Sequence, residues 1–585
     1  MNTKTLTALM TLLTASAVWA LDPIPSPRSL VRTGGARPYA APTESIDPSL
    51  PAEGYRLTVT PEKITLTAGS AAGLFYGRGT LEQLSAPGGK TVPCVTIEDA
   101  PRLKLRGFMH DTGRNFQTVE SLKKQLDIFA RYRLNIFHWH LTDNPAWRIE
   151  SKRYPQLNTR PSRQDGRTPE GTYTFDQIRE VIAYAKARHI RVIPELDMPG
   201  HSAFFNRAFG FSMGSPKGIA ILKELLTEFC SEIPAADCPI IHIGSDEVHI
   251  PHPKAFIAAM ETHLASLGRR AAVWSPGLVP SSKHTITQLW KSNARLPQDG
   301  AELIDSSFGY LNTYDPQELV RRYLSAAIHP KALGATLCCW PDVRVDDKTK
   351  IFSQNAVWPA LLAFSENAWS GPADLTAFEP KLEAHRDAYF AGMPFDYIPQ
   401  MRHSWTVRIG KYSPGIRRGA SFMFGASNNR AKKEGTETET AILTATVSVP
   451  EAGTYLFRAG FEAPARSNRL SYGIPEQGRL DAAGGTVLFD GSPLPAPVYR
   501  EPGRFSCANN MWHGPLCEVP YADEQFWWLR TPSPIFLTAG THTVTITAPR
   551  KNPKMQWSAT LLPVRWADNR WVDDKRLTFT AAATK

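Results

Sequence analysis

With 585 residues, the chain is too long for one ordinary core; at roughly 100–200 residues per domain it divides into three or four units. Hydrophobic residues make up 42% and tryptophans number 15, a globular composition with aromatic surface to spare. The formal charge of +11 is dispersed, with no long Lys/Arg run, so it reads as a solvated surface rather than a nucleic-acid face.

In chain order, residues 1–20 have the pattern of a secretory signal: Lys4, an apolar run from Leu6 to Val18, and Val18-Trp19-Ala20 as cleavage site. That predicts export, to the periplasm or the outside. No later run approaches 18 apolar residues and no Cys follows the signal's core, so no membrane anchor is expected. Residues 21–50, rich in Pro, Ser, Ala and Gly, read as an extended leader. Residues 54–68 give two alternating runs split by Pro-Glu-Lys, a hairpin pattern. Residues 71–84 suit a helix with Leu74, Tyr76, Leu81 and Leu84 on its apolar positions. Residues 21–100 therefore form a small α+β domain.

From 101 to 400 short strands alternate with helices. Strands are expected at 103–109, 135–140, 190–196, 240–244, 271–275, 285–290, 302–309 and 334–340. Helices are expected at 119–131, 175–188, 219–229, 254–267 and 358–369. Eight strands with crossovers over this length fit a (β/α)₈ TIM barrel, an α/β fold. Beyond 400 helical periodicity fades, and runs such as Thr444–Val449 and Thr541–Thr547 predict a β-sandwich over 401–585. Its Trp512, Phe526, Trp527, Trp528 and Trp557 serve either packing or carbohydrate binding. Export permits disulfides, and Cys230/Cys238 and Cys507/Cys517 are spaced to close short loops. Cys338-Cys339 read as packed, and no CxxC or zinc spacing occurs.

Chemistry concentrates in Pro-Ile-Ile-His-Ile-Gly-Ser-Asp-Glu-Val-His-Ile (239–250). A buried β-branched run is broken by Gly244 and Ser245, and Asp246 and Glu247 follow at once, where barrel enzymes carry their catalytic groups. Acids this close force one pKa upward, so one can donate a proton while the other stabilises charge. The alternative is a helix start with acids in its first turn. The other strand ends supply Asp111 and Arg114, then His138, His140 and Asp143, then His201. Later ends supply Trp274, Trp290, Tyr310 with Asn312, and Trp340 with Asp342. Aromatic faces cover the C–H faces of a pyranose while charged groups bind its hydroxyls, so a sugar fits this mouth.

Four segments, Gly-Arg-Asn-Phe (113–116), His-Trp-His-Leu-Thr-Asp (138–143), Pro-Glu-Leu-Asp-Met-Pro-Gly-His (194–201) and His-Ile-Gly-Ser-Asp-Glu-Val (242–248), resemble glycoside hydrolase family 20, the β-N-acetylhexosaminidases. Residues 54–84 resemble the small domain that precedes the barrel in that family; the C-terminal 190 residues lie outside the likeness. The resemblance implies exo-acting, retaining removal of terminal GlcNAc or GalNAc by the substrate's own acetamido oxygen, through an oxazolinium ion. It implies that Glu247 is the acid and base, that Asp246 orients the acetamido N–H, and that Tyr310 bonds the acetamido oxygen. Trp274, Trp290 and Trp340 would wall the acetamido pocket, Arg114 would hold ring hydroxyls, and Asp143 and His201 would tune Glu247. Asn312 and Asp342 would also face the substrate, with Asp111 and Asp197 in support. Partners would be mucin-type, N-glycan or chitin-derived oligosaccharides ending in an N-acetylhexosamine, with no nucleic acid.

Three positions depart from the family pattern: Ser245 for a second glycine, Asn144 for a second Asp, and Trp340-Pro341-Asp342 for Trp-X-Glu. The shorter Asp342 implies an altered reach at O4, hence an altered choice between gluco and galacto sugars. His138-Trp139-His140 also has the HxH form of metal-dependent amidohydrolases, but the fifth and sixth strands end in tryptophan rather than further ligands. No metal or organic cofactor is expected, and hydrogen-bonded packing is the reading kept for these histidines. Two rival functions stand beside hydrolysis of single sugars: disaccharide release of the lacto-N-biosidase type, and a carbohydrate-binding protein without catalysis.

Overall fold

The computed structural model describes residues 21–390, except 86, 160–161, 163–170, 312–315 and 342–356, together with 393. Further on it describes residues 416–418, 421–423, 439–449, 452–462, 486–493, 498–499, 526–530, 535–550, 556–567 and 570–573. The expected signal (1–20), Asn312, Asp342, Cys507, Cys517 and Trp512 lie outside the described residues.

The first domain is a five-stranded sheet, order β1-β5-β3-β4-β2, with one helix on its face. Its elements are β1 (Ser29–Pro38), β2 (Thr43–Ile46), β3 (Tyr55–Val59), β4 (Ile64–Ala68), α1 (Ala71–Ser85) and β5 (Thr91–Asp99). Period-two alternation turns Tyr55, Leu57, Val59, Ile64, Leu66 and Ala68 onto α1, where Tyr76, Leu81 and Leu84 meet them. The segment 21–50, expected as a leader, instead supplies both outer strands. Its polar composition reflects exposure, since nearly every β1 side chain faces solvent. The structure is held by backbone pairing with β5, not by side-chain burial.

The second domain is a closed barrel of eight parallel strands. In chain order they are β6 (Leu105–Asp111), β7 (Ile136–His140), β10 (Arg191–Glu195), β11 (Ile240–His242), β12 (Arg270–Ser275), β13 (Ile286–Leu289), β14 (Leu303–Asp305) and β15 (Gly334–Cys339). A two-stranded excursion, β8 (Thr142–Asp143) and β9 (Ala146–Trp147), follows β7. The expected helices form as α2 (Val119–Arg131), α3 (Phe175–Lys186), α5 (Pro216–Glu232), α6 (Pro253–Ser266) and α8 (Val357–Trp369). Three more, α4 (Ala203–Phe209), α7 (Pro316–Leu324) and α9 (Leu375–Tyr389), were not expected from periodicity. Starts are set by local chemistry: Thr174 and Gln177 make a capping box on α3, and Ser215 caps α5 with Pro216 in its first turn. The connections β12–β13 and β13–β14 run as loops without a helix.

Leu105, Ile240, Ala272, Ile286 and Ile304 fill the lower barrel, and Met109, Trp274, Cys338 and Trp340 crown it. The small domain docks under the barrel through buried charge. Arg133 meets Asp99 at 2.6 Å, and Arg106 meets Glu53 at 2.9 Å.

Beyond the barrel, two antiparallel sheets provide the elements of a β-sandwich. One contains Glu439–Val449, Gly540–Arg550, Thr486–Phe489 and Ser492–Pro493; the other is built on Gly453–Glu462 and Gln556–Ala567. The side chains of Phe526, Trp527, Trp528 and Trp557 lie outside the described residues.

The cysteine expectation is corrected at one pair. Cys230 and Cys238 form no disulfide, and Cys338 and Cys339 are buried and unbridged, as expected. The loop between Cys230 and Cys238 is closed by Arg269, whose guanidinium donates to Cys238 O at 2.7 Å, to Cys230 O at 3.2 Å and to Ile233 O. A buried cation bonded to three carbonyls ties the turn that a disulfide was expected to tie.

Candidate active site

The acids do not sit on the strand. β11 stops at His242, no helix begins before Pro253, and Asp246 and Glu247 stand in a loop with left-handed backbone. Gly244 (φ 61°) has to be glycine, because a Cβ there would lie 1.8 Å from Asp197 Oδ1. Ser245 (φ 79°), Glu247 (φ 49°) and His201 (φ 43°) hold this conformation with side chains, at a cost of about 1 kcal/mol or more each. The surroundings enforce it. Ser245 Oγ donates to Met198 O at 2.9 Å and Ile243 O at 3.1 Å, so the family departure at this position has its own anchor. Asn144, a second departure, accepts from Ala203 N at 3.2 Å and fastens the start of α4.

His201 joins the acids. Its Nδ1 lies 2.8 Å from Asp197 Oδ2, its Nε2 lies 3.4 Å from Glu247 Oε2, and Asp246 Oδ1 is 3.9 Å from Nδ1. Asp197 Oδ1 also accepts from Ser245 N at 3.3 Å, so one carboxylate positions both the imidazole and the acid loop. Burial, and then the Asp197 charge, push the Asp246 carboxyl up to about 8. Glu247, half-exposed, is held below its ordinary range by its contact with His201. Burial works against a charged His201, but the Asp197 and Asp143 carboxylates override it and raise the imidazole to about 12. The two acids are shifted in opposite directions, but not by each other: burial and the Asp197 carboxylate raise Asp246, and contact with His201 lowers Glu247.

A second network holds the opposite wall. Asp111 accepts from Arg114 N at 2.9 Å and from its guanidinium at 2.7 Å, while Arg114 Nη2 reaches Asp143 at 3.2 Å. His140 Nε2 meets the same Asp143 oxygen at 3.0 Å. Burial acts to raise the Asp143 carboxyl, but Arg114, His201 and His140 hold it well below the usual range. Glu195 lies at the centre of the barrel floor, with His138 Nε2 and His140 Nδ1 each 2.7 Å from its Oε2. Trp274 Nε1 donates to its other oxygen at 2.8 Å. Glu195 was given no role in the reading of the sequence, although an acid closing a barrel strand is the signal that picked out Asp246.

The aromatic residues close a box. Trp274 and Trp340 have ring centroids 5.9 Å apart, Tyr310 stacks on Trp340 at 6.2 Å, and Trp290 lies 6.4 Å from Tyr310. Tyr310 is fixed by its β-bridge to Cys338, and burial holds its phenol well above its ordinary range, a neutral donor. Arg114 lies over the Trp340 ring at 5.2 Å. Nine of the expected residues therefore surround one mouth, and Asn312 and Asp342 lie outside the described residues. The histidines fill the role of packing beneath the pocket. His138, Glu195 and His242 bring donor atoms within 4.8 Å of one another, all of them buried.

Comparison with known proteins fits this geometry. Residues 104–210 match the model of the glycosyl hydrolase family 20 catalytic domain, and residues 16–100 match that of family 20 domain 2. A β-N-acetylhexosaminidase of Cellulomonas fimi is 30% identical over 381 residues, covering 55% of this chain and 75% of that one. The chain belongs to glycosyl hydrolase family 20. Within the family, a β-hexosaminidase of Akkermansia muciniphila is 40% identical over 203 residues, 33% of this chain and 41% of that one. The crystal structure of a Bacteroides fragilis β-N-acetylhexosaminidase superposes with a TM-score of 0.55 at 28% identity, covering 63% of this chain and 95% of that one. The chain spans 41%, 52% and 55% of the lengths of the β-hexosaminidases from Akkermansia muciniphila, Porphyromonas gingivalis and Vibrio furnissii.

Proposed function

We propose that the protein is an exo-acting, retaining β-N-acetylhexosaminidase that removes terminal GlcNAc or GalNAc by substrate-assisted catalysis. The observation that carries this reading is the aromatic box of Trp274, Trp290, Tyr310 and Trp340 set beside an acid pair of opposite protonation. The aromatic walls have the character of an acetamido pocket, and Tyr310 offers its phenol to the acetamido oxygen. The one proton the two acids share passes from Asp246 through His201 to Glu247, since His201 Nδ1 lies 3.9 Å from Asp246 Oδ1; as the acetamido oxygen attacks C1, ionised Asp246 accepts a hydrogen bond from the acetamido N–H and stabilises the growing positive charge. Glu247 protonates the leaving oxygen. Its ordinary pKa is depressed in the open site, but a bound sugar covers it and raises its proton affinity, and the His201 imidazolium at 3.4 Å can supply the proton. Water then attacks the oxazolinium with Glu247 as base, giving retention.

Export to the periplasm or outside, and substrates among mucin-type, N-glycan or chitin-derived chains, belong to the same proposal. The test is hydrolysis of aryl N-acetyl-β-glucosaminide, N-acetyl-β-galactosaminide and lacto-N-bioside by wild type and Glu247→Gln. Release from the monosaccharides, reduced about 10²–10⁴-fold in kcat by the substitution, is expected. Release from the bioside alone would favour a biosidase; silence on all three would leave a binding protein.

A further inference from the structure

Where β12–β13 and β13–β14 lack crossover helices, loops 275–285 and 295–301 enclose a cavity of about 470 Å³. It backs onto the aromatic box. Pro276, in its wall, accepts from Trp290 Nε1 at 2.7 Å, and Trp290 N donates to Ser275 O at 2.9 Å. Inside it, the buried Thr287 Oγ1 has no hydrogen-bond partner. Arg295 is exposed at its rim and no carboxylate lines it. The nearby acids are engaged elsewhere: Glu302 pairs with Arg270 at 2.7 Å, and Glu261 accepts from Ser281 and Thr285. On the box side, the exposed Lys291 rests its ammonium 4.0 Å from the Trp290 ring centroid. Neither cation has an ion pair among the described residues.

We propose that Lys291, Arg295 and this cavity form a subsite for an anionic group, a sulfate ester or carboxylate, carried by the sugar on the leaving-group side. The inference rests on the hexosaminidase reading, because it is Glu247 that marks that side. The Glu247 carboxylate is the half-exposed member of the acid pair and faces outward, where an acid would meet the leaving oxygen. Lys291 acts on it: together with His201 and Arg114, its charge favours ionised Glu247, the wrong state for a proton donor. An anion seated on Lys291 offsets that contribution, which is smaller than those of His201 and Arg114. Anionic substrates therefore gain in kcat/KM.

The experiment compares N-acetylglucosaminyl-galactose, the same disaccharide with a sulfate ester on the galactose primary hydroxyl, and N-acetylglucosaminyl-glucuronate, with a neutral aryl glycoside as reference. Wild type is expected to cleave one or both anionic disaccharides with kcat/KM about threefold or more above the neutral one at low salt. That preference should vanish at about 1 M salt. It should also vanish in Lys291→Met/Arg295→Met, whose unchanged Tm checks the fold. Preference for the sulfate alone or the glucuronate alone names the source of the anion. Equal rates on all three disaccharides, or a preference that survives the double substitution, overturns the subsite while leaving the hexosaminidase standing. Failure on the aryl glycoside as well as all disaccharides overturns both.

Discussion

Two clusters of buried charge lie at opposite ends of this barrel, and they are built differently. Beneath it, Asp99 is saturated: its oxygens accept from Arg28 N, Trp369 Nε1, Tyr55 Oη and Arg133 Nη1. Arg133 in turn lies over the Trp369 ring at 4.4 Å and donates to Tyr55 and Thr80. At the mouth, Asp246 is also buried, though less deeply, and its Oδ1 has no hydrogen-bond partner. Of the six non-glycine residues with positive φ among the described residues, three, His201, Ser245 and Glu247, lie at the mouth and one, Arg133, in the lower cluster. A saturated cluster holds domains together. An unsaturated, strained one stores interaction for a ligand, and stability is the quantity it gives up.

The contrast can be broken most severely from below. Arg133→Met strands Asp99 as an uncompensated buried carboxylate, and about 3–5 kcal/mol of stability should be lost in denaturant unfolding. The folded fraction should keep its KM.

The mouth should answer in the opposite sense. Asp246→Asn is expected to cost roughly 10²–10³ in kcat, the scale of losing one preorganised charge stabiliser. Its stability should move the other way, because the folded pKa of about 8 lies above the ordinary 3.8. A raised folded pKa contributes stability at low pH that is lost as pH climbs from about 4 to about 8. Asparagine does not titrate, so the Tm of the variant should gain on wild type across that window and run parallel outside it. Parallel Tm curves throughout would place Asp246 in an ordinary environment.

The smallest effect sharpens the reading of strain. Ser245→Gly relieves a left-handed backbone worth about 1 kcal/mol but removes a buried hydroxyl with two acceptors, worth about the same. Net stability should change by less than about 1 kcal/mol. A larger loss would show that the hydroxyl, not the backbone, decides this turn.

The barrel was legible because its strands are short β-branched runs and its long helices carry clean periodicity: Val119–Arg131 forms where it was expected. The outer strands of the first domain were not, since β1 pairs through its backbone and buries almost nothing a hydropathy pattern can register. Helix α4 was hidden by its length of seven residues, and α9 by Pro380 within it. At the site, motif and strand-end position found the acids, His201 and the aromatic walls. Glu195 was quoted within the 194–201 motif but given no role, and Lys291 drew no notice as a lone surface lysine; the fold places them against Trp274 and Trp290.

Helix α8 carries a consequence for domain exchange. Every one of its residues from Val357 to Trp369 is buried, and Trp369 belongs to the apolar core of the first domain. A helix buried on every side, its Ser365, Glu366 and Asn367 included, has no face to offer water. Arg102, at the junction of the two domains, is bonded to Asn367 O at 2.8 Å near the same helix end. The boundary near residue 101 is thus a boundary of topology and not of stability. Exchanging the first domain without α8 would join two mismatched halves of one core, so a swap made at residue 101 is expected to fold less stably than one that carries α8 along.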